Sequence, residues 1–441
     1  MKKNLLIIII TIFCTPVFSQ TKVTTDTISL SILQAIDFAL VHNSTLKNAY
    51  ADLAIAEQTV KETKAIGLPN ISGQLQFQNA IQKQVFVFPV NNVPTPIRVG
   101  NKYNTVAGIN ASWLLLDGTY LIGLKAAKEF TSLSKKAASK TESDIKIDVA
   151  KTYFSALILK ENLYLVNASY QTLEKTYNQV KVTNKEGFIE ELDVDRIKLQ
   201  LNNSNVSKRK LIDQYDVLLG LLKFKIGMPE EHPIKITDNI DDINNRFMAP
   251  DTSSVLDLNN RTDFMLLQQQ LNLTKLNVQR YKFGKYPNLV GAFIYQQSNF
   301  GEKIDYSKWY DNYFVALQLN VPILSGFSND AKIQKAKIEQ LKLENTIGNV
   351  ENGLKLEVFQ ARQKYLNAID YSVQQKENLE LANKILKVTT IKYNEGVGSN
   401  LEMITANQDV KQSQTNYFGA LYDLLVAKLD YQVALGQQIK L

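Results

Sequence analysis

Two long stretches of this chain contain no proline, and a heptad pattern of apolar residues runs through the later part of each. They cover residues 118–186 and 326–395. A stripe of apolar residues that repeats every 3.5 positions keeps one seam of an α-helix against a partner helix. At 1.5 Å per residue each helix would be about 100 Å long. The pattern predicts an elongated, mainly α-helical protein.

Each of these stretches stops at a glutamate–glycine pair. The glycines are Gly187 and Gly396, and a second helical stretch follows each of them, over residues 189–226 and 399–435. Glycine commonly ends helices because it enters the left-handed backbone conformation without a steric cost. The chain therefore predicts two long antiparallel coiled-coil hairpins whose tips lie at these glycines.

The two hairpins are copies of one pattern. An offset of 209 positions aligns them without a gap, and it pairs Gly187 with Gly396, Leu192 with Leu401, Asp193 with Glu402, and Gly227 with Gly436. We therefore expect an internal two-fold repeat, with residues 20–228 in the first copy and 255–441 in the second. Residues 229–254 are rich in proline, asparagine and aspartate and should form an irregular connection.

Each copy also contains two stretches where apolar and polar residues alternate. They lie at about 70–79 and 103–116 in the first copy, and at about 287–297 and 312–324 in the second. A period of two indicates strands with one apolar and one polar face, as in a soluble sandwich or in a membrane barrel. After residue 19 no segment reaches the ~18 consecutive apolar residues of a membrane-spanning helix, so any crossing would use strands. Four strands cannot close a barrel, whereas three copies would supply twelve.

The N-terminus has the features of a secretory signal peptide. Two lysines precede the apolar residues 5–13, and a small-residue cleavage site ends at Ser19, so residues 1–19 should be removed by the Sec pathway. The alternative is a lipoprotein signal acylated at Cys14, although Phe13 stands where such signals carry a small residue. Cys14 is the single cysteine, so the mature chain would have neither disulfides nor thiolate ligands.

Composition argues against nucleic-acid binding and catalysis. The formal charge is +7, of which two charges belong to the signal-peptide lysines, and the remaining charges of both signs are well mixed. The two histidines, His42 and His232, are far apart in sequence, and no zinc-protease, nucleophile-elbow or phosphate-loop spacing occurs. We expect no enzyme activity, no cofactor and no metal site.

Several local motifs resemble those of the TolC family of outer-membrane efflux and secretion channels. They are the opening helix SLSILQAIDFALVHNSTLKNA at 29–49, the P-N-[IL]-x-G strand starts at Pro69 and Pro287, the strand exits at Gly118 and Gly326, and the duplicated E-G…L-[DE] turns. The resemblance covers essentially the whole mature chain.

The resemblance implies a homotrimer with a twelve-stranded β-barrel in the outer membrane and an α-helical barrel that extends into the periplasm. It also implies two partners, a periplasmic adaptor that docks on the helical tips and an inner-membrane pump of the RND or ABC type. A soluble periplasmic coiled-coil scaffold or adaptor would share the hairpins but should lack barrel strands. The sequence does not reveal the cargo.

In this family acidic residues just past the tip glycines line the periplasmic entrance, and these positions fall on Asp193 and Glu402. Carboxylates projected into a narrow pore by three chains would attract cations and repel anions. Glu402 has a second interpretation, because Ser399 stands three residues before it and the two could form a capping box. Thr405 stands where the family often has another acidic residue.

Three further residues are candidates at the tips. Gly187 and Gly396 should turn the chain, and with Ser399 they would form the exposed surface that an adaptor contacts. Tyr393 is primarily a residue of the coiled-coil seam, and it is also a candidate latch for the closed entrance.

Overall fold

The computed structural model describes residues 27–90, 92–240, 242–243 and 256–437. The predicted signal peptide, residues 1–19, and residues 244–254 of the predicted connection lie outside the described residues.

The described part of the chain contains seven α-helices and eight β-strands. The helices are α1 Ile32–His42, α2 Ser44–Ala65, α3 Gly118–Lys185, α4 Glu191–Ile226, α5 Thr262–Phe283, α6 Ser328–Asn394 and α7 Asn400–Ala434. The strands are β1 Ile28–Leu30, β2 Asn70–Asn79, β3 Gln84–Val90, β4 Val93–Val99, β5 Tyr103–Leu116, β6 Ile234–Ile236, β7 Asn288–Gly301 and β8 Tyr310–Asn320. None of these helices has the length and apolar character needed to span a membrane.

Two helices dominate the molecule, as the heptad pattern predicts. Helix α3 has 68 residues and α6 has 67, which makes each of them about 100 Å long. Helix α4 returns along α3, and α7 returns along α6. The prediction of a mainly α-helical chain with long hairpins and a small β part is confirmed.

The two tips have the same backbone geometry. Gly187 and Gly396 both adopt the left-handed conformation, with φ of 82° and 75°. The N–H of the residue after each glycine donates to the carbonyl five positions earlier, at 3.2 Å in the first tip and 3.0 Å in the second. This is the Schellman motif, which satisfies carbonyl groups that a helix end would otherwise leave unpaired. The predicted turns are therefore present in both copies.

The repeat extends to the opposite ends of the hairpins. In the first copy Asn43 Nδ2 donates to the carbonyl oxygen of Lys225 at 2.7 Å. In the second copy Arg261 Nη1 donates to the carbonyl oxygen of Val433 at 2.8 Å. Both acceptors lie in the last turn of a return helix, and both donors precede a short helix that leads to the sheet. The two acceptors differ by one position under the offset of 209, so the repeat preserves a contact at this end of each hairpin and not the same hydrogen bond.

Strands from both copies form one antiparallel sheet. Its order is β2-β5-β7-β8, so the central pair β5–β7 joins the first repeat to the second. Strand β5 has an irregularity between Leu114 and Leu116. Period-two alternation places the larger apolar side chains on one face, with Leu75, Ile109, Tyr295 and Val315 on successive strands.

Four short strands were not predicted. The interval from residue 80 to 102 contains the hairpin β3–β4, which extends beyond β2 and β5 on the side away from the helices. Its prolines, Pro89, Pro94 and Pro96, interrupt the period-two pattern and mask the strands in sequence. Strands β1 and β6 pair in parallel over three residues each, which is too short for a periodic signal.

The main core lies where the non-tip ends of both hairpins meet. Its fully buried side chains include Tyr153, Phe154 and Leu157 of α3 and Leu421, Leu424 and Leu425 of α7. Helix α1 and the β1–β6 pair cover this core. The core therefore fixes the two hairpins side by side.

Candidate functional site at the hairpin tips

A small second core joins the two tips. Its buried residues are Leu173, Val180 and Ile197 from the first hairpin and Met403 from the second. The contacts place the first turn of α7 against α4. Residues of two separate hairpins therefore come together in space at this end of the molecule.

Asp193 is bound to the other hairpin. Asn400, which is only 5% exposed, donates from Nδ2 to Asp193 Oδ1 and to the Asp193 carbonyl oxygen, both at 3.0 Å. Arg196, one turn further along α4, places Nη1 3.6 Å from Asp193 Oδ1. Sequence analysis assigned Asp193 to the periplasmic entrance and gave it no partner. The structure shows that an amide from the second hairpin binds this carboxylate.

Tyr393 lies beside this pair. Its hydroxyl oxygen is buried and makes no hydrogen bond in the described part of the chain. Burial raises the pKa of the Tyr393 phenol, and the negative charge of Asp193 raises it further. The phenol is therefore neutral at physiological pH and keeps a proton to donate. The ring packs against the tip core, as a seam residue should.

The tip of the second hairpin does not contain the expected capping box. Ser399 Oγ accepts the N–H of Leu401 at 3.1 Å, one residue earlier than that motif requires, and Glu402 makes no hydrogen bond back to Ser399. The capping-box interpretation of Glu402 is therefore wrong, although Ser399 is the N-cap of α7. The Glu402 side chain is exposed in the first turn, where the helix dipole favours a carboxylate.

The predicted turn residues are accessible. A methyl group added at Gly187 or Gly396 would meet no atom within 4 Å, so the surface around each glycine is open. Asn400 and Arg196 were missed by sequence analysis. A polar residue in the first turn of an exposed helix is common, and only the approach of the second hairpin makes Asn400 specific.

A second polar cluster lies at the other end of the hairpins. Arg261 is almost fully buried, and Nη2 lies 3.1 Å from Glu357 Oε2 and 3.7 Å from Asp263 Oδ2. Lys140 Nζ bridges Asp144 at 2.9 Å and Asp263 at 3.2 Å, and its hydrogen bond to Asp144 is the main reason that the pKa of Lys140 is raised.

Arg261, Asp263, Lys140 and Asp144 line a cavity of about 430 Å³ between α3, the start of α5 and the end of α7. The described residues contain no cluster of three or more groups suited to hold a metal. The ion pairs of this cluster connect α3, the start of α5 and α6.

Comparison with known proteins relates the chain to bacterial outer-membrane proteins. Residues 256–437 match the family model described as outer membrane efflux protein. Outer membrane protein TolC of Vibrio cholerae serotype O1 is 20% identical over 344 residues, which are 75% of this chain and 76% of that protein.

Two solved structures share the fold along most of the chain. The outer membrane protein VceC from Vibrio cholerae has a TM-score of 0.73 at 15% identity, over 92% of this chain and 96% of VceC. The CmeC outer membrane channel of Campylobacter jejuni has a TM-score of 0.74 at 14% identity, over 92% and 85% of the two chains.

Proposed function

We propose that the chain is the outer-membrane exit duct of a tripartite efflux pump or a type I secretion system, because residues 256–437 match the outer membrane efflux protein family and most of the chain is similar in sequence to TolC. Its sheet would lie in the outer membrane and its hairpins would extend into the periplasm, after removal of the signal peptide. The duct conducts its cargo passively, so no catalytic chemistry is assigned to any residue.

The observation that carries this proposal is the open sheet. Strands β2 and β8 form its two edges, and neither has an outer partner among the described residues. Their large apolar side chains, such as Leu75 and Val315, are exposed in the single chain. Open edges are not tolerated in lipid, and exposed apolar faces are costly in water. Pairing between three copies would remove the open edges by closing a twelve-stranded barrel, and lipid would cover the apolar face.

The opposite face of the sheet suits a water-filled channel. Gln74, Gln76 and Asn110 in the first copy and Gln318 in the second share this face by register. Strands of 10 and 11 residues at the edges match the length that a tilted membrane strand requires. The apolar face would contact lipid, as in known outer-membrane barrels.

The proposed protein partners would bind at the hairpin tips, at the end of the molecule opposite the sheet. Three chains would bring six tips together, and their open turns at Gly187, Gly396 and Ser399 would receive a periplasmic adaptor. The adaptor would connect the duct to an inner-membrane pump of the RND or ABC type. Asp193 and Glu402 would line the entrance, and Tyr393 would hold the closed state through the Asp193–Asn400 pair.

Cell fractionation tests the location. We expect the full chain in the outer-membrane fraction, extractable only with detergent, as a trimer by cross-linking. Recovery in the soluble periplasmic fraction would favour the soluble scaffold instead. The exposed apolar face of the sheet argues against that alternative, because a soluble protein of this size rarely exposes so large an apolar surface.

Planar-bilayer recordings test the entrance. Wild-type channels should conduct weakly and prefer cations, and the double variant Asp193→Asn with Glu402→Gln should lose part of that preference. Glu344→Gln is the matched control, because this carboxylate bonds only within its own helix at Gln340. An unchanged cation preference in the double variant would remove both residues from the entrance.

A further inference from the structure

The four helix–strand junctions of the chain lie at one edge of the sheet. Helix α2 leads into β2 and β5 leads into α3, while α5 leads into β7 and β8 leads into α6. The junctions contact one another: Tyr120 Oη donates to the Lys64 carbonyl oxygen, and Asn329 Nδ2 donates to the Gly284 carbonyl oxygen. Phe283 also lies against Gly118, so the junctions of both repeats form one part of a ring at the base of the sheet.

Charge is distributed unequally around this ring. In the first repeat, residues 54–69 and 117–130 carry four lysines and four carboxylates. In the second repeat, residues 272–287 and 325–337 carry seven cations and one carboxylate. We call these seven cations the basic collar; they are Lys275, Arg280, Lys282, Lys285, Lys332, Lys335 and Lys337. The formal charge near the sheet is therefore zero in one repeat and +6 in the other.

Most of the collar has no carboxylate partner among the residues that the structure describes. Lys285 forms an ion pair with Asp330, the single acidic residue of these segments. The other six cations are exposed and form no ion pair within the described ranges. Six like charges within a few turns repel one another unless an external anion compensates them.

An exposed apolar band borders the collar on the side of the sheet. Tyr286 is 63% exposed, Phe327 is 75% exposed, and Ile323 is 94% exposed. Aromatic and aliphatic side chains next to lysine and arginine are typical of the boundary between lipid tails and headgroups. The first repeat has exposed apolar residues at the same level, Ile66 and Leu68, but lacks the excess of cations.

We propose that the basic collar binds the phosphate headgroups of anionic phospholipids in the leaflet that faces the helices. This inference rests on the proposed function, since it requires the sheet to lie in a membrane. The charge complementarity selects anionic over zwitterionic headgroups, and the apolar band places those headgroups at the level of the collar. A trimer would then have three lipid-binding sectors from its second repeats, separated by three neutral sectors from its first repeats.

Native mass spectrometry of the full-length trimer tests this proposal. The protein is incubated in neutral detergent with equal amounts of phosphatidylglycerol and phosphatidylcholine, and the lipids retained per trimer are counted. We expect about a fivefold or larger preference for phosphatidylglycerol at low salt, because each basic side chain near an anionic headgroup contributes measurable attraction. The preference should fall at high salt.

The two repeats supply a matched pair of variants. Arg280→Gln, Lys282→Gln, Lys332→Gln and Lys335→Gln together should abolish the preference. The control, Lys61→Gln, Lys64→Gln, Lys125→Gln and Lys128→Gln, removes the same charge from the neutral repeat and should retain the preference. An excess of inorganic phosphate should not displace the lipid, because a free ion lacks the apolar tails.

Two outcomes would overturn the inference. Equal loss in both variants would mean that only total charge matters. Unchanged lipid retention with a raised cation preference in bilayer recordings would place the collar inside the channel. Both outcomes leave the proposed function intact as long as the protein fractionates with the outer membrane, whereas recovery as a soluble protein would end both proposals.

Discussion

Asn400 illustrates how one side chain can join distant parts of this chain. Its Nδ2 group donates twice to Asp193, and its Oδ1 atom is buried without a partner. A buried amide that is only half satisfied lowers stability, so its presence in a fold calls for an explanation. The contact holds the two tips of one chain together, which suits an entrance that has a closed state.

Replacing this amide should loosen the tips. In Asn400→Ala, Asp193 loses its donor from the second hairpin, so we expect a larger single-channel conductance and a thermal midpoint that is lower by a few degrees. Bilayer recordings and circular dichroism measure the two effects. Asn407→Ala is the control, because the Asn407 amide bonds only to Met403 in its own helix. A conductance equal to that of the wild type would show that this contact does not restrict the entrance.

Tyr153 offers a test at the opposite end of the hairpins. Its hydroxyl lies 2.6 Å from Asp238 Oδ2, which also accepts the Ile32 N–H at 2.7 Å. Burial is the main cause of the raised pKa of Tyr153, and the hydrogen bond to Asp238 adds to it. A raised pKa means that the phenol stays neutral in the folded state when the unfolded chain ionises. Its contribution to the free energy of unfolding is therefore full below about pH 10 and falls at higher pH.

Tyr153→Phe should lower the free energy of unfolding at neutral pH by about 1–2 kcal/mol. It should also reduce the further loss of stability above about pH 10, because the ionisable group is gone. Thermal unfolding of the helical signal at several pH values measures both effects. Tyr164→Phe, an exposed position on the same helix, serves as the control. Identical alkaline sensitivity in wild type and Tyr153→Phe would contradict the assignment.

Residue-level roles were only partly predictable. Gly187 and Gly396 were identified because each interrupts a strong helical pattern, and only glycine tolerates that turn at no cost. The bond between Asp193 and Asn400 was not predictable, since it depends on how two separate hairpins pack. Adaptor contact by the tip residues and pore lining by Asp193 and Glu402 stay predictions.

At the scale of elements, the Schellman turns occur at both ends of each hairpin, yet they differ in surroundings. Gly227 ends α4 with φ of 76°, and a Cβ atom there would lie 2.7 Å from the carbonyl oxygen of His42. Gly187 has a similar φ, but open space surrounds it. Both glycines have the left-handed backbone that strains other residues, but an added methyl group would clash only at Gly227.

Alanine substitution separates the effect of backbone strain from that of the steric clash. Gly187→Ala should cost about 1–2 kcal/mol, the price of a left-handed non-glycine residue. Gly227→Ala should cost at least twice as much, because a backbone atom that cannot move aside blocks the methyl group. Thermal or denaturant unfolding of the helical signal compares them. Equal losses in the two variants would mean that α1 can shift away from Gly227.

Sequence periodicity predicts the long elements well and the short ones poorly. Helices α3 and α6 carry a heptad repeat over many turns and contain no proline, so their existence and length were clear. The hairpin β3–β4 has seven residues in each strand, and prolines disrupt its alternation. Strands β1 and β6 exist because α1 and the chain after α4 pack on one core, which is information that no local pattern contains.

At the scale of the molecule, Arg261 connects the helices of the second repeat, and Asp263 continues the contact to Lys140 in the first. Removing one member of a buried ion pair leaves the other charge uncompensated, which is more costly than removing both. Because Glu357 is 46% exposed, water would compensate part of the loss.

Arg261→Met should therefore lower the free energy of unfolding by about 3 kcal/mol, at the lower end for a buried pair. The double variant Arg261→Met with Glu357→Leu should recover part of this loss. Arg209→Gln, an exposed cation on α4, should change the free energy of unfolding little. Denaturant titrations compare the variants. A double variant less stable than Arg261→Met would show that Glu357 stabilises the fold without its partner.

The architecture of the whole molecule was predictable because the chain is written twice, so each copy supported the interpretation of the other. The exposed apolar face and open edges of the sheet agree with the expectation that the chain does not function alone. The charge difference between the repeats is visible in the sequence. Only the structure shows that the charged segments lie together at one edge of the sheet.

The offset of 209 positions also has an evolutionary consequence. Fusing two copies into one gene means that neighbouring hairpins in an assembly need not be identical, so each copy can change without altering the other. Tyr393 stands where the first copy has Asn184, and Ser399 stands where it has Glu190. In a ring of six identical hairpins every contact between neighbours would be the same. The fused chain can make two different contacts in alternation, and the bond from Asn400 to Asp193 belongs to one of them.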